Sequence, residues 1–257
     1  MLIDSHAHLD DDRFDKDRDR LIKSLKESGI DLVINPGSDL GSSIKSVSLS
    51  EQYDNIYAAV GIHPHSAKEM DDSTIEVLKS FTNRDKVVAI GEIGLDYYYD
   101  NSPREIQRQR FIEQLELAKE VDLPVIIHTR EAAQETFDIL KAAQDGSLRG
   151  VLHCYSGSVE MALEYIKMGF YISLGGPVTF KKSKVSKEVA KMVPVDRLLI
   201  ETDSPYLTPE PYRGKRNEPL LVRYVAGTIA ELRGIPFEEL AKYTSENAKK
   251  LFEIIDN

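Results

Sequence analysis

VVAIGEIG, residues 87–94, is apolar or glycine at every position but one. A run with no polar face fits a strand buried on both sides, as in a parallel sheet covered by helices, and does not fit a half-exposed antiparallel strand. The exception, Glu92, closes the run. It reads either as a buried partner for a cation or as a ligand, and the nearby Gly91 and Gly94 read as backbone making room for one. Seven other short runs have the same character: MLIDSH (1–6), DLVINPG (31–37), YAAVGIHP (57–64), LPVIIHT (123–129), GVLHCYSG (150–157), FYISLGG (170–176) and LLIETDSP (198–205). Between them lie stretches with helical spacing, such as Leu21, Ile22 and Leu25 ahead of Gly29. Phe111, Leu115 and Ala118 repeat the spacing, as do Val222, Val225, Ile229 and Leu232 ahead of Gly234. Eight strands alternating with helices predict an α/β fold of βαβ units, and eight is the number that closes a TIM (β/α)8 barrel. The rival, a doubly wound open sheet, would gather its chemistry at one switch point and not at most strand ends. No Pro/Ser/Gly-rich linker interrupts the chain, so one domain over residues 1–257 is expected.

Composition bounds the function from outside. With 41% hydrophobic and 30% charged residues in 257, the chain is neither disordered nor low-complexity and is long enough for a sizeable core. It opens without a basic segment and apolar stretch of signal-peptide type, and no apolar run approaches the roughly 20 residues of a membrane span, so a cytoplasmic protein without a membrane partner is the expectation. A single cysteine, Cys154, agrees with a reducing compartment. The balance of 33 Lys and Arg against 43 Asp and Glu gives a net charge of −10, which disfavours nonspecific coating of nucleic acid or anionic membrane and leaves room for a local basic site.

All six histidines fall at the C-terminal ends of these runs: His6 and His8, His63 and His65, His128, and His153. In a barrel those ends share one rim, where active sites of this fold are built. Side-chain alternation puts His6 and His8 on the same side, roughly 6–7 Å apart along the chain, so two imidazoles can grip one ion. Glu201 and Asp203 form another same-face pair. Imidazoles and carboxylates converging on one rim suit one or two divalent ions with nitrogen and oxygen ligands. A lone strand-end histidine is most often a hydrogen-bonded structural residue, but that reading does not account for all of them. His65, just past Pro64, has the weakest claim and reads as a surface residue. Alternation turns Cys154 away from His153 and makes it a packing residue, so no Cys–His nucleophile is expected.

Taken together, DSHAHLD (4–10), GIHP (61–64), GEIGLDYY (91–98), His128-Thr129-Arg130, LHCYSG (152–157), LLIETDSP (198–205), RGKRNEP (213–219) and SENAKKLF (245–252) resemble the TatD family of metal-dependent deoxyribonucleases in the amidohydrolase superfamily. The resemblance implies that His6, His8, Glu92 and Asp203 hold one ion, with Glu92 bridging to a second held by His128 and His153. It further implies that Asp4 and Glu201 stand behind the ligands, orienting the imidazoles and fixing their tautomers. Two divalent ions, of zinc, manganese or magnesium, are thus the expected cofactors.

The chemistry implied is phosphodiester hydrolysis by a metal-activated water, with Glu92 and Asp203 as the catalytic carboxylates and Asp203 accepting the water's proton. The expected partner is DNA, as single strands or 3′ ends, in a 3′–5′ exonuclease. RGKR offers Arg213, Lys215 and Arg216 as a phosphate clamp, and Arg130 and His63 are expected to touch substrate as well. Lys181, Lys182, Lys184 and Lys187 read equally as phosphate contacts or as a solvated helix face. Tyr97, Tyr98, Tyr99, Tyr206 and Tyr212 lie near the same strand ends, where unpaired bases stack, and Tyr97 is expected to make such a contact. Two alternatives use the same barrel: D-aminoacyl-tRNA deacylation, with transfer RNA as partner, and ester or amide hydrolysis of a small molecule. The basic loops would have no purpose for a neutral amide.

Overall fold

The computed structural model describes residues 1–255. Each of the eight runs forms a strand: β1 (Leu2–Asp4), β2 (Ile30–Pro36), β3 (Ile56–Val60), β4 (Val87–Asp96), β5 (Val125–Arg130), β6 (Gly150–Leu152), β7 (Tyr171–Leu174) and β8 (Leu198–Ile200). Helices fill the crossovers: α1 (Arg18–Ser24), α2 (Leu40–Gln52), α3 (Thr74–Phe81), α4 (Arg104–Glu120), α5 (Ala133–Ala143), α6 (Val159–Lys167) and α7 (Lys184–Met192). After β8 come α8 (Val222–Arg233) and α9 (Phe237–Leu251). Helix α8 stops where expected, at Gly234, whose φ of 67° is the left-handed conformation that a Cβ disfavours.

All strands pair in parallel, in chain order, in one sheet. The sheet curls until its edges meet. Past the ends of β1 and β8, the Ser5 N–H donates to the Ile200 carbonyl (3.1 Å), the Asp203 N–H to that of His6 (2.8 Å), and the His8 N–H to that of Ser204 (2.7 Å). The seam therefore runs through the segments that carry the candidate ligands. This is the expected TIM barrel.

Two apolar clusters hold it. The larger joins the outer strand faces to the helices, and includes the expected Leu21, Ile22, Leu25, Phe111, Leu115, Ala118, Val222, Val225 and Ile229. The smaller lies inside the barrel, where Ile3, Ile34, Ala59, Ala89, Ile126, Val151 and Leu199 meet Ala248, Leu251 and Phe252 of the α9 end. Because α9 packs on β1, β8 and the turn leading into β8, one mouth of the barrel is plugged with hydrocarbon and the other is left to the polar residues. Among the described residues no helix is long and apolar enough to cross a membrane.

The strands differ from the sequence reading at their ends. β1, β3, β6 and β8 stop before the residues with chemistry, whereas β4 runs on through Asp96. Cys154 (φ 42°) and Asp203 (φ 55°) take left-handed conformations just past β6 and β8. Such residues leave the ladder and turn their side chains, so alternation no longer predicts where they point.

Candidate metal centre

Two groups of donor atoms meet at the open mouth, one on each oxygen of Glu92. Around Oε2, the His6 and His8 Nε2 atoms lie 3.1 Å apart, at 3.3 and 3.5 Å from the carboxylate and each 3.7 Å from Asp203 Oδ1. Ligands about 2.0–2.2 Å from a tetrahedral ion stand roughly 3.3–3.6 Å from one another. These donors stand 3.1–3.7 Å apart, which brackets that spacing. Around Oε1, His128 Nδ1 and His153 Nε2 each lie at 2.9 Å and are 3.3 Å apart, with His63 Nε2 at 3.5 Å. Among the described residues every ion pair of Glu92 is with a histidine, and no Lys or Arg neutralises it. The donor set therefore fits divalent cations in number, type and spacing.

Charge in this pocket is unbalanced in the way a cation site requires. Burial would raise the Glu92 carboxyl, but His153, His63, His6 and His128 hold it well below the ordinary range. Burial likewise disfavours charge on His8, yet Glu92, Asp10 and Asp203 draw its pKa up to about 9. His153 is raised by Glu92 and Glu201 against the same burial penalty. Protons on these rings stand where cations would, so metal binding displaces them. His63 behaves differently: burial and the neighbouring His128 keep it neutral, and its Nδ1 accepts the His65 N–H at 3.2 Å. A neutral ring that accepts at Nδ1 carries its proton on Nε2, so His63 presents a donor and not a lone pair to the cavity.

The residues behind the ligands divide. Glu201 Oε1 lies 3.3 Å from His153 Nδ1, and the His6 and His153 rings stack with centroids 4.0 Å apart above it. The Nδ1 atoms of both rings and both Glu201 oxygens are buried without a hydrogen-bond partner among the described residues. Asp4 does something other than expected, because it touches no imidazole. Its carboxyl meets the backbone N–H of His6 (3.3 Å) and both the N–H (2.9 Å) and hydroxyl (2.6 Å) of Thr202, tying the β1 exit to the β8 exit. Burial pushes its pKa up to about 8 against those hydrogen bonds. An acid whose pKa is higher in the folded state adds stability below its unfolded value, and this is lost as pH rises through the folded one. Asp4→Asn mimics the neutral acid. It should therefore remove a decline in the urea midpoint between about pH 4 and pH 8; a parallel decline in both proteins would show that Asp4 does not titrate there.

A cavity of about 840 Å³ opens above Glu92. His8, His63, His65, His128, His153 and Asp203 line it, and Arg130 and Tyr99 form its wall on the β4–β5 side. The Arg130 guanidinium sits 4.1 Å from the Tyr98 ring centre and 4.8 Å from that of Tyr99. On the far side Tyr206 lines the cavity with the Arg13 guanidinium 4.2 Å from its ring centre.

Several expected contacts lie elsewhere. Tyr97 turns outward to hydrogen-bond Glu135 at 2.5 Å, and it is Tyr99 that faces the cavity. Arg216 is engaged by both oxygens of Asp17 at 2.7 Å, which pins its loop beside the start of α1, and it does not line the cavity. Arg213 stacks on Phe180 and Lys215 on Tyr212, both outside the cavity lining. Lys181, Lys182 and Lys184 are exposed around the start of α7. Cys154 does line the cavity, because its left-handed backbone reverses the alternation. Gly91 and Gly94 make room for β5 and not for a ligand: a Cβ on Gly94 would come 2.0 Å from the His128 carbonyl oxygen, and one on Gly91 would come 2.6 Å from Ile126 Cβ.

Two residues escaped the sequence reading. His65 is not a free surface residue; its Nε2 lies 2.8 Å from Asp96 Oδ2. Asp96, at the end of β4, is buried and also lies 3.3 Å from His128 Nε2. Its position inside GEIGLDYY was the available signal.

The family model for TatD-related DNases matches residues 3–253 of this chain. The chain belongs to that family. A protein of Bacillus subtilis (strain 168) named as an uncharacterized metal-dependent hydrolase, YabD, is 49% identical over 99% of this chain and 100% of its own length. YcfH of Escherichia coli (strain K12), named in the same way, is 38% identical over 99% of this chain and 96% of its own. The crystal structure of YjjV, a TatD homologue from Escherichia coli K12, superimposes with a TM-score of 0.93 at 32% identity, covering 99% of this chain and 98% of that one. As a TatD-family protein the chain is a metal-dependent hydrolase, and its His/Asp/Glu clusters are candidate metal sites.

Proposed function

We propose that this TatD-family hydrolase is a deoxyribonuclease that removes nucleotides from the 3′ end of single-stranded DNA. In this reading His6, His8, Glu92 and Asp203 hold one divalent cation, and Glu92, His128 and His153 hold a second. The observation that carries it is the pair of tyrosines with arginines on their rings, Tyr99 with Arg130 and Tyr206 with Arg13, that line the cavity together with the carboxylate and imidazole donors. Base stacking on such rings contributes about 1–3 kcal/mol per base and tolerates any sequence.

When bound, two divalent cations supply an activated water and neutralise the charge that develops in an in-line displacement at phosphorus. The protein's own groups do the rest. Asp203 lines the cavity, and burial raises its carboxyl above the ordinary range despite His6, His153 and His8, which suits a group that accepts a proton from water. His63 donates its Nε2–H to a phosphate oxygen, and Arg130 pairs with a phosphate further along the strand. A cavity plugged below by α9 accepts a strand end more readily than the middle of a duplex. The nitrogen-rich donor set favours zinc, whereas carboxylates and a phosphate substrate also suit manganese or magnesium.

The test is to strip the protein of metal and add back zinc, manganese or magnesium with 3′- or 5′-labelled single strands, duplexes and D-aminoacyl-tRNA. Mononucleotide release from the labelled 3′ end of single strands is expected. Absence of nucleic acid cleavage with every metal would overturn the reading in favour of a small-molecule substrate, and deacylation alone would move it to transfer RNA.

The arginines separate in a second measurement. Arg130→Ala should weaken binding of a single-stranded oligonucleotide about tenfold and lower the slope of log affinity against log salt by about 0.7. Arg216→Ala should leave that slope unchanged and lower stability by about 0.5–1 kcal/mol through the lost pair with Asp17. A slope reduced by the second substitution and not by the first would restore the RGKR clamp.

A further inference from the structure

His128 offers Nδ1 to the Glu92 side and turns Nε2 the other way, toward Asp96 Oδ2 at 3.3 Å. The same Asp96 oxygen lies 2.8 Å from His65 Nε2. Its other oxygen accepts the backbone N–H groups of Tyr98 (3.0 Å) and Tyr99 (2.9 Å), forming the turn that sets both rings under the Arg130 guanidinium. Gln107 of α4 fixes the residue in turn: its Oε1 accepts the Asp96 N–H at 2.9 Å and its Nε2 donates to the Asp96 carbonyl at 3.1 Å. Every hydrogen-bonding contact of this buried carboxylate is therefore either to an imidazole or to the aromatic turn.

From this arrangement we infer that Asp96 is the positioning residue of the second ion, the carboxylate that fixes His128 as a ligand through Nδ1 and builds that ligand and the tyrosine–arginine wall as one unit. A carboxylate accepting from the far ring nitrogen selects the tautomer with its lone pair on the metal-facing one. The first group is built differently: among the described residues His6 Nδ1 has no hydrogen-bond partner, and Asp10 acts on His8 through its charge without a hydrogen bond to the ring. The consequence is asymmetric: the two ions depend on different supports, and losing Asp96 weakens one of them. The inference rests on the two-ion reading above and on nothing about the substrate.

Asp96→Asn tests it. The amide oxygen still accepts from Tyr98 and Tyr99, but an NH₂ now faces two imidazole nitrogens that should be donors. Metal-stripped protein is titrated with zinc against a chromophoric chelator, and the tightly bound equivalents are counted. Wild type should take up two equivalents; Asp96→Asn should keep the first unchanged and bind the second 10–100-fold more weakly. His65→Gln, which removes the other imidazole on the same oxygen, should retain two and serves as the control for local disturbance. Two unaltered equivalents in Asp96→Asn would overturn the inference, as would equal loss of both, which marks a structural role. Only one equivalent in wild type would instead overturn the two-ion reading. Metal counting needs no substrate, so the result is independent of whether DNA is cleaved.

Discussion

Glu92→Gln is expected to lower turnover about a thousandfold and to abolish tight binding of both cations. Each oxygen of Glu92 faces its own set of donors, His6 and His8 on one side and His128 and His153 on the other. Glutamine keeps the shape and removes the charge that draws cations to both sides. It also presents an NH₂ to one imidazole pair, where a lone pair is needed. Loss of roughly 4 kcal/mol of transition-state stabilisation, the scale of metal-assisted charge neutralisation, corresponds to three orders of magnitude in rate. Elemental analysis of the purified variant and its steady-state rate check this together. A variant that retains both ions and turns over within tenfold of wild type would show that the bridge is dispensable. The fold is expected to survive, because the seam and the apolar plug do not pass through this side chain.

Asp203→Asn is expected to keep the fold, bind an oligonucleotide nearly as well as wild type and lose between a hundredfold and ten-thousandfold in the rate of cleavage. Position 203 has a φ of 55°, which Asn adopts more readily than almost any other residue with a side chain, so the backbone is not disturbed. Its N–H still reaches the His6 carbonyl across the seam. What is lost is a carboxylate 3.7 Å from both His6 and His8 that is raised by burial and open to the cavity, in the proposed reading a ligand of the first cation and a proton acceptor whose contribution is of that size, so the metal content of the variant is measured alongside its rate. Single-turnover rates at saturating protein separate this from weakened binding. Undiminished single-turnover cleavage would remove Asp203 from the role of base.

The barrel was legible because runs such as VVAIGEIG have no solvent face, and a strand with no solvent face needs helices on one side and an interior on the other. The gathering of the histidines followed from their place at strand ends. Orientation beyond those ends was not legible, because it depends on single left-handed residues, Cys154 and Asp203, that neither composition nor period announces. Three consecutive tyrosines after β4 show the same limit. Alternation cannot say which of Tyr97, Tyr98 and Tyr99 faces inward once the ladder has ended, and the Asp96 turn decides it. The partner of a charge was the other hidden quantity. Arg216 reads as a free phosphate ligand until folding brings Asp17 beside it.

The closing seam has a consequence for how the protein is made. His6 and His8 leave the ribosome long before Asp203 does. The backbone bonds that hold these segments side by side cannot form until β8 has emerged. A nascent chain thus exposes a His-x-His pair with no carboxylate from the far edge to complete the cage. Any cation it meets in that interval lacks Asp203 among its ligands. If the proposed ligands hold the metal, its selection waits until β8 has emerged, and is made by a shut barrel whose donors are already at their final spacing.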